Sequence, residues 1–439
     1  MSNQQDLNYT TILNCEAYRQ YQNGNLYSGI DLFSKVVLKK PNDSNIWIEL
    51  GNAHLKNKDY EMSKMCFDTA IDLSPDNPNA ICAIGLYYFE LGLFKEAKMF
   101  FLKTLKICPD SEWGLLNLSL TEQKLGNVLE GLELYEKREK ERSLLLHENL
   151  KLKKLKELSS LNNINKESEI LIIGEQGFGD QLMVCLYLKK LTSLGFRISY
   201  LVNEKLYDLL IKVDDLKNVK IIHKMQEKDS KKFDYKIFSM SLPLLFTRKG
   251  LDREAVKICT DRKSAKLKIN KILDKLSDQK IKVGIAWSGR ATTTRNSFRS
   301  IDDIILEKII SDNKVNFFSL QKLPADFDKN IFIKYKNFHN CEKYLNNFED
   351  TSAWISRMDV IISVCTSLAH LSGLMAKKTL LLLSYVHDPR WDEEFNGCLY
   401  PSLKIIKQQK INEWEDCLDK IQNELLNHNY SRRNVKKSI

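Results

Sequence analysis

No C-x-x-C pair occurs among the ten cysteines of this 439-residue chain; all are scattered singly. That pattern excludes a disulfide framework and suggests reduced thiols. No apolar run approaches the roughly 18 residues that span a bilayer; one of the longest is LLLL at 380–383. The first residues, MSNQQDLNYT, lack the basic-then-apolar layout of a secretory signal. The expectation is a soluble, cytoplasmic protein that does not span a membrane. Seven histidines show no ligand spacing, so neither a metal nor a resident cofactor is expected. The net charge of +10 comes partly from runs such as KLKKLK (151–156), KDSKKFDYK (228–236) and the tail SRRNVKKSI (431–439). These read as solvated faces, and without an aromatic-interleaved basic stripe no nucleic-acid partner is expected.

What is present first is a period. Prolines fall at 41, 75 and 109, each 34 residues from the last. Trp47, Leu50, Gly51, Phe67, Ala70 and Pro75 fill one unit, and Ile84, Gly85, Tyr88, Ala97, Phe101 and Pro109 fill the next. Gly24, Gly92 and Gly126 mark a turn inside three units, and Lys58 takes that place in the second. This resembles the tetratricopeptide repeat, two antiparallel helices per 34 residues. Small residues at Ala17, Gly51, Gly85 and Ser119 let paired helices approach. Phe33, Phe67, Phe101 and Tyr135 are expected to fill the space between neighbouring repeats. Four units fit a domain over 1–142, followed by a linker over 143–168. Such stacks present a concave groove that commonly binds peptide. Asn45, Asn52, Asn79 and Asn117, on or near the first helices, are its candidate contacts. A block that only stiffens or dimerises the protein remains the alternative.

From 169 the period changes. ILII (170–173), ISYLV (198–202), VKII (219–222) and YKIF (235–238) alternate with helical stretches. After a Lys-rich helical stretch (257–280) come KVGIAW (282–287), NFFSL (316–320), DVIISV (359–364) and TLLLL (379–383). Strands alternating with helices predict two parallel sheets, assigned here to lobes over 169–260 and 261–439. Ligands in such folds sit beyond the carboxyl ends of the strands.

The loops there carry distinctive residues. GEQGFGDQ (174–181) fits neither a dinucleotide fingerprint nor a phosphate loop, since no Lys-Ser/Thr pair follows its glycines. SVCTSLAHLSG (363–373) opens a helix at Thr366 and Ser367, which makes either an anion site or an ordinary helix cap. WSGRATTTRNSFRS (287–300) offers Ser288, Gly289, Arg290, Arg295 and Arg299, groups able to neutralise a leaving phosphate or to sit in a solvated loop. SYVHDPRWDEE (384–394) offers Arg390 and Trp391, and SMSLPLLF (239–246) puts Ser241 at a strand end. Asp326-Phe327-Asp328 is a lone D-x-D in a polar loop and reads as solvated.

GEQGFGDQ, YKIFSMSLPLLF, VGIAWSG, RSI, FFSLQK, DVIISV with TSLAHLSG, and DPRW occur in this order over 170–410. The set resembles the glycosyltransferase half of bacterial tetratricopeptide-glycosyltransferase proteins, relatives of the heptosyltransferases of glycosyltransferase family nine. The resemblance implies a helical solenoid followed by a GT-B fold of two Rossmann-like lobes. It implies an inverting, metal-independent transfer of sugar from a nucleotide-sugar donor to an acceptor hydroxyl. Asp180 matches the proposed general base, in a loop where Gly177, Gly179 and Gln181 meet the acceptor; capping of the following helix is the other role open to it. Thr366, Ser367 and His370 match the phosphate-binding segment, though a His in a first turn also serves packing. The acceptor implied is a protein, such as flagellin or a surface protein, held by the groove. A saccharide or lipid-linked glycan, or a scaffold without chemistry, are the alternatives. Cys365 stands where most relatives show Asp, and 290–297 lacks an acidic residue that relatives often carry.

Overall fold

In a computed structural model of the chain, the residues described are 2–138, 152, 155–162, 164–225, 232–259, 269–270, 272–274, 276, 280–290, 295–323, 327–393 and 397–437. Asp326 of the D-x-D, residues 291–294, and 143–151, 153–154 and 163 of the linker lie outside them. The chain forms two compact units. One comprises 1–138, 290–300 and 384–397; the other comprises 139–289, 301–383 and 398–439. This departs from a division at residue 142, because two stretches expected to belong to the α/β half are part of the helical unit.

The helical unit is four antiparallel pairs: α1 (Ser2–Asn23) with α2 (Leu26–Lys39), α3 (Ser44–Lys56) with α4 (Tyr60–Leu73), α5 (Pro78–Glu90) with α6 (Phe94–Ile107), and α7 (Glu112–Lys124) with α8 (Val128–Tyr135). First helices start on side-chain caps that satisfy open amides: Asp43 accepts from the N–H of Asn45, Asn77 from Asn79 and Ser111 from Gly114. The turn inside each pair needs a left-handed residue. Gly24, Gly92 and Gly126 have φ of +89°, +75° and +87°, and Lys58 adopts +65° in the second pair.

Phe33, Phe67 and Phe101 reach the next helix pair as expected, and two of them also press on their own pair. A Cβ added to Gly51 would lie 2.5 Å from Cε1 of Phe67, and one added to Gly85 would lie 2.6 Å from Cε1 of Phe101. Each Phe therefore presses on the glycine of its own pair, while Phe67 also shares a core with Ala80, Ala83 and Ile84 of the next. Phe298 packs into that same core, and Val386 packs with Cys82, Phe89, Ala97, Phe101 and Leu118. These apolar contacts anchor 295–300 and 384–393 to the solenoid.

The other unit holds two all-parallel sheets. The first runs β1 (Lys156–Glu157), β5 (Tyr235–Phe238), β2 (Glu169–Ile173), β3 (Arg197–Leu201), β4 (Val219–Ile222). The second runs β11 (Leu403–Lys407), β10 (Thr379–Leu383), β9 (Val360–Val364), β6 (Ile281–Ala286), β7 (Val315–Ser319), β8 (Phe338–Asn340). Eight strands match apolar runs in the sequence. The others do not: β1 lies inside the expected linker and pairs Lys156 with Tyr235, while β8 and β11 are short or charged edge strands. A C-terminal helix, Glu415–Lys437, includes residues 431–437 of the tail. Among the described residues no helix is long and apolar enough to cross a membrane.

From β6 the second sheet builds β7 and β8 to one side and β9, β10 and β11 to the other, the order of a doubly wound sheet. The first sheet likewise turns outward from β2, toward β3 on one side and β5 on the other. Such reversals open a crevice beyond the strands' carboxyl ends, so the loops after β2, β5, β6 and β9 are where a ligand is sought.

Candidate functional site

The loop after β2 is built around a buried carboxylate that the sequence reading missed. Glu175 is 1% exposed; its Oε1 accepts from the Met240 N–H at 2.9 Å, and its own N–H donates to Ser239 Oγ at 3.2 Å. Those bonds join the loops after β2 and β5 and place Ser241, itself buried, at the start of a helix over Leu242–Lys249. Gln176 then takes φ +60°, a conformation few non-glycine residues adopt. The turn delivers Gly177 as the cap of α9 (Phe178–Met183).

Asp180 lies in the first turn of α9 and accepts from the Gly177 N–H at 3.0 Å. The cap role is thus realised, and the half-buried carboxylate stays at the helix start. Gln181 is buried and holds rather than contacts: Oε1 accepts from the Asn203 N–H at 2.9 Å, and its carbonyl accepts from Tyr200 Oη at 3.0 Å.

The loop after β9 enters α10 (Ser367–Leu374) through Thr366, whose Oγ1 accepts from the Leu368 N–H at 3.3 Å and lies 3.1 Å from Ser363 Oγ. Ser367 and Cys365 are half-buried. His370 is buried, with Nδ1 3.0 Å from Tyr400 Oη. The two loops meet here. A Cβ on Gly179 would lie 2.9 Å from Cδ2 of His370 and 3.5 Å from Cα of Ser367. The absent side chain lets α9 rest on the first turn of α10. Phe178 stacks edge-on against Phe348 at 5.0 Å, and Lys212 pairs with the buried Glu349, closing the same seam.

After β6, Ser288 and Gly289 are half-buried. Gln321, from the loop after β7, accepts from the N–H groups of Trp287 at 2.8 Å and Ser288 at 3.1 Å. Its Nε2 is buried with no hydrogen-bond partner among the described residues. Buried amides of this kind are normally satisfied, so Gln321 belongs with the candidate groups.

The arginines expected at a leaving phosphate are engaged within the helical unit. Arg295 Nη2 donates to Glu90 Oε2 at 2.9 Å and to the Val386 carbonyl at 3.2 Å, with its guanidinium 5.0 Å above the Phe89 ring. Burial pushes the Glu90 carboxyl up to about 6, with Arg295 pulling the other way. Arg390 Nε donates to Asp388 Oδ1 at 2.9 Å. Burial would raise the Asp388 carboxyl, but the charge and hydrogen bonds of Arg390, with Arg295, bring it down to about 2. Arg299 donates from Nε to Asn296 Oδ1 at 3.4 Å, and Arg290 is exposed. Trp391 is buried.

Of the four asparagines, Asn52 bonds the Glu49 carboxyl, and Asn117 Nδ2 reaches Cys82 Sγ at 3.9 Å. Asn45 and Asn79 are exposed at the starts of α3 and α5. Among the described residues no group of three or more His, Cys, Asp and Glu is placed to hold a metal ion.

Solved structures similar to the chain include the E. coli ADP-heptose lps heptosyltransferase II, 11% identical, with TM-score 0.43 over 60% of this chain and 99% of that one. The first TPR of Spaghetti (RPAP3) bound to an HSP90 peptide is 19% identical, with TM-score 0.25 over 26% of this chain and 92% of that one. MamA is 19% identical, with TM-score 0.27 over 33% and 84%. No curated protein matches the chain. Residues 44–77 and 78–111 each match the tetratricopeptide repeat family, so this part of the chain consists of tetratricopeptide repeats.

Proposed function

We propose that the chain is a glycosyltransferase of the two-lobed GT-B kind, moving a sugar from a nucleotide-sugar to an acceptor hydroxyl. The observation that carries this reading is the meeting of α9 and α10. Two helix starts, one bearing a carboxylate and the other two hydroxyls, come together beyond the carboxyl ends of two doubly wound sheets. The positive end of α10 with the hydroxyls of Thr366 and Ser367 suits a diphosphate. Asp180 removes the proton from the acceptor hydroxyl as that oxygen bonds to the anomeric carbon. The bond from that carbon to the diphosphate breaks, and the nucleotide carries away the electron pair with inversion. No metal is required in this scheme, because the helix start and the hydroxyls of Thr366 and Ser367 meet the leaving charge.

The repeats recruit a protein acceptor, with Asn45 and Asn79 the exposed contacts. A second reading, a binding scaffold without transfer chemistry, is favoured by Cys365, a thiol at the entry to α10 where a carboxylate would bind sugar or ribose hydroxyls. The test is a thermal-shift series with UDP, GDP, ADP, CMP and their sugar conjugates. A ligand bound only by the folded state raises the midpoint by mass action. A shift with one nucleotide supports the transferase and identifies its base; no shift with any of them moves the conclusion to the scaffold.

A further inference from the structure

The second sheet carries a cavity at the end away from the loops described above. Its strands are all parallel, so β6, β7 and β8 start at the same end of the sheet. Lys280 immediately precedes β6, Asn313 lies just before β7 and Lys336 just before β8. With Lys334, Asn316 and His339 they line a cavity of about 530 Å³, inside the roughly 300–1,000 Å³ of small-molecule clefts. Its wall is anchored by polar contacts. Asn337 Nδ2 donates to the carbonyls of Ile310, Asp312 and Val315 at 2.9, 3.0 and 3.1 Å. Asn316 is 3% exposed, and the His339 ring packs 4.9 Å from that of Phe318. Among the described residues that line the cavity none is Asp or Glu. Glu307 offsets one charge from outside the lining: it pairs with Lys334 and accepts from Tyr335 Oη at 2.9 Å. Like charges gathered around one hollow with low-dielectric walls concentrate positive potential inside it.

We propose that this cavity binds a small phosphate compound, at a site separate from the helix starts of α9 and α10. The described lining contains lysines and no arginine. Lysine ammonium groups act as point charges that suit a tetrahedral phosphate, whereas the planar guanidinium fork that matches a carboxylate is missing. Asn313 and Asn316 add neutral polar groups, and the half-buried Tyr335 adds a ring against which an organic body can rest. A hollow, rather than an extended basic stripe, favours a small molecule over a nucleic-acid strand. The inference stands whether or not the chain transfers sugar.

The test follows amide hydrogen exchange in the full chain with inorganic pyrophosphate, glucose 6-phosphate and ADP, each added in turn, and measures their affinities by calorimetry. The variants are Lys336→Glu, at an exposed cavity lysine, and Lys217→Glu, at an exposed lysine outside the lining that changes net charge equally. At ten times Kd at least one of the three should slow exchange across 311–316 and 334–339 about tenfold, because opening there must first release the ligand. Lys336→Glu should weaken that ligand at least ~10-fold by placing a like charge against it, while Lys217→Glu should keep parent affinity. The compound that binds most tightly tells an inorganic ligand from an organic phosphate. No protection of these two segments by any of the three overturns the proposal. So does protection confined to 366–374, which would belong to the helix start of α10. Equal weakening by both variants, or none by Lys336→Glu, overturns it as well, as does protection by a DNA oligonucleotide alone.

Discussion

The loops after β2 and β9 and the segments 295–300 and 384–393 are held in place by opposite means. The first pair relies on backbone: a helix cap at Gly177, another at Thr366, and a glycine that lets two helices touch. The second pair relies on buried side-chain charge, with Glu90 on Arg295 and Lys124 on Asp392. A loop held by its backbone leaves hydroxyls and a carboxylate at the helix starts. A loop held by its charges commits those charges to its own support. Arg295 and Arg390 therefore look like phosphate ligands in sequence and act as struts in the fold.

The comparison breaks most visibly at Lys124. Replacing it with Met leaves Asp392, among the described residues, with His387 alone and should cost about 3 kcal/mol, the cost of breaking a buried pair; equilibrium unfolding in guanidinium measures it. Asp180→Asn should act on the other pair of loops. Its amide oxygen can still accept from the Gly177 N–H, so stability should hold while turnover falls at least ~100-fold if the carboxylate is the base. Turnover equal to the parent would leave Asp180 a cap alone.

A third test is pH. The Glu90 carboxyl sits at about 6 in the folded chain against its usual 4.5. Below pH 4.5 it is neutral whether folded or not, and its contribution is then largest. As pH rises through about 6, the folded state must ionise it against burial, and stability should fall by about 2 kcal/mol before levelling. Unfolding of the parent and of Glu90→Gln at pH 4.5 and 7.5 checks this, since the variant should lack that fall. The smallest effect is expected at Gly51→Ala, where the new methyl meets the fully buried Phe67. It should cost about 1–2 kcal/mol as overpacking, read as a lower unfolding midpoint with the α/β unit unaffected.

Much of this arrangement was legible in the sequence. The 34-residue period located all eight solenoid helices, even the left-handed Lys58 standing in for glycine. Eight of the strands followed from apolar runs, because a strand covered on both faces has no polar alternation to obscure it. Edge strands β1, β8 and β11 escaped notice because they are short or mixed in polarity. Glu175 and Gln321 escaped because a polar residue that bonds backbone across a loop carries no periodic signal. Glu90 left one visible sign, a lone carboxylate ending the apolar helix PNAICAIGLYYFE.

By itself the sequence determined the repeats, the two series of strands, the glycine-rich loop and the helix start at Thr366, since each arises from neighbours a few residues apart. Only the tertiary structure decided that Gly179 meets His370, that Phe298 and Val386 belong to the solenoid's core, and that Glu90 takes Arg295 from 205 positions away. Local propensity and period act through the chain's own short-range geometry, whereas the pairing of distant charges is settled only when burial removes water as their alternative partner.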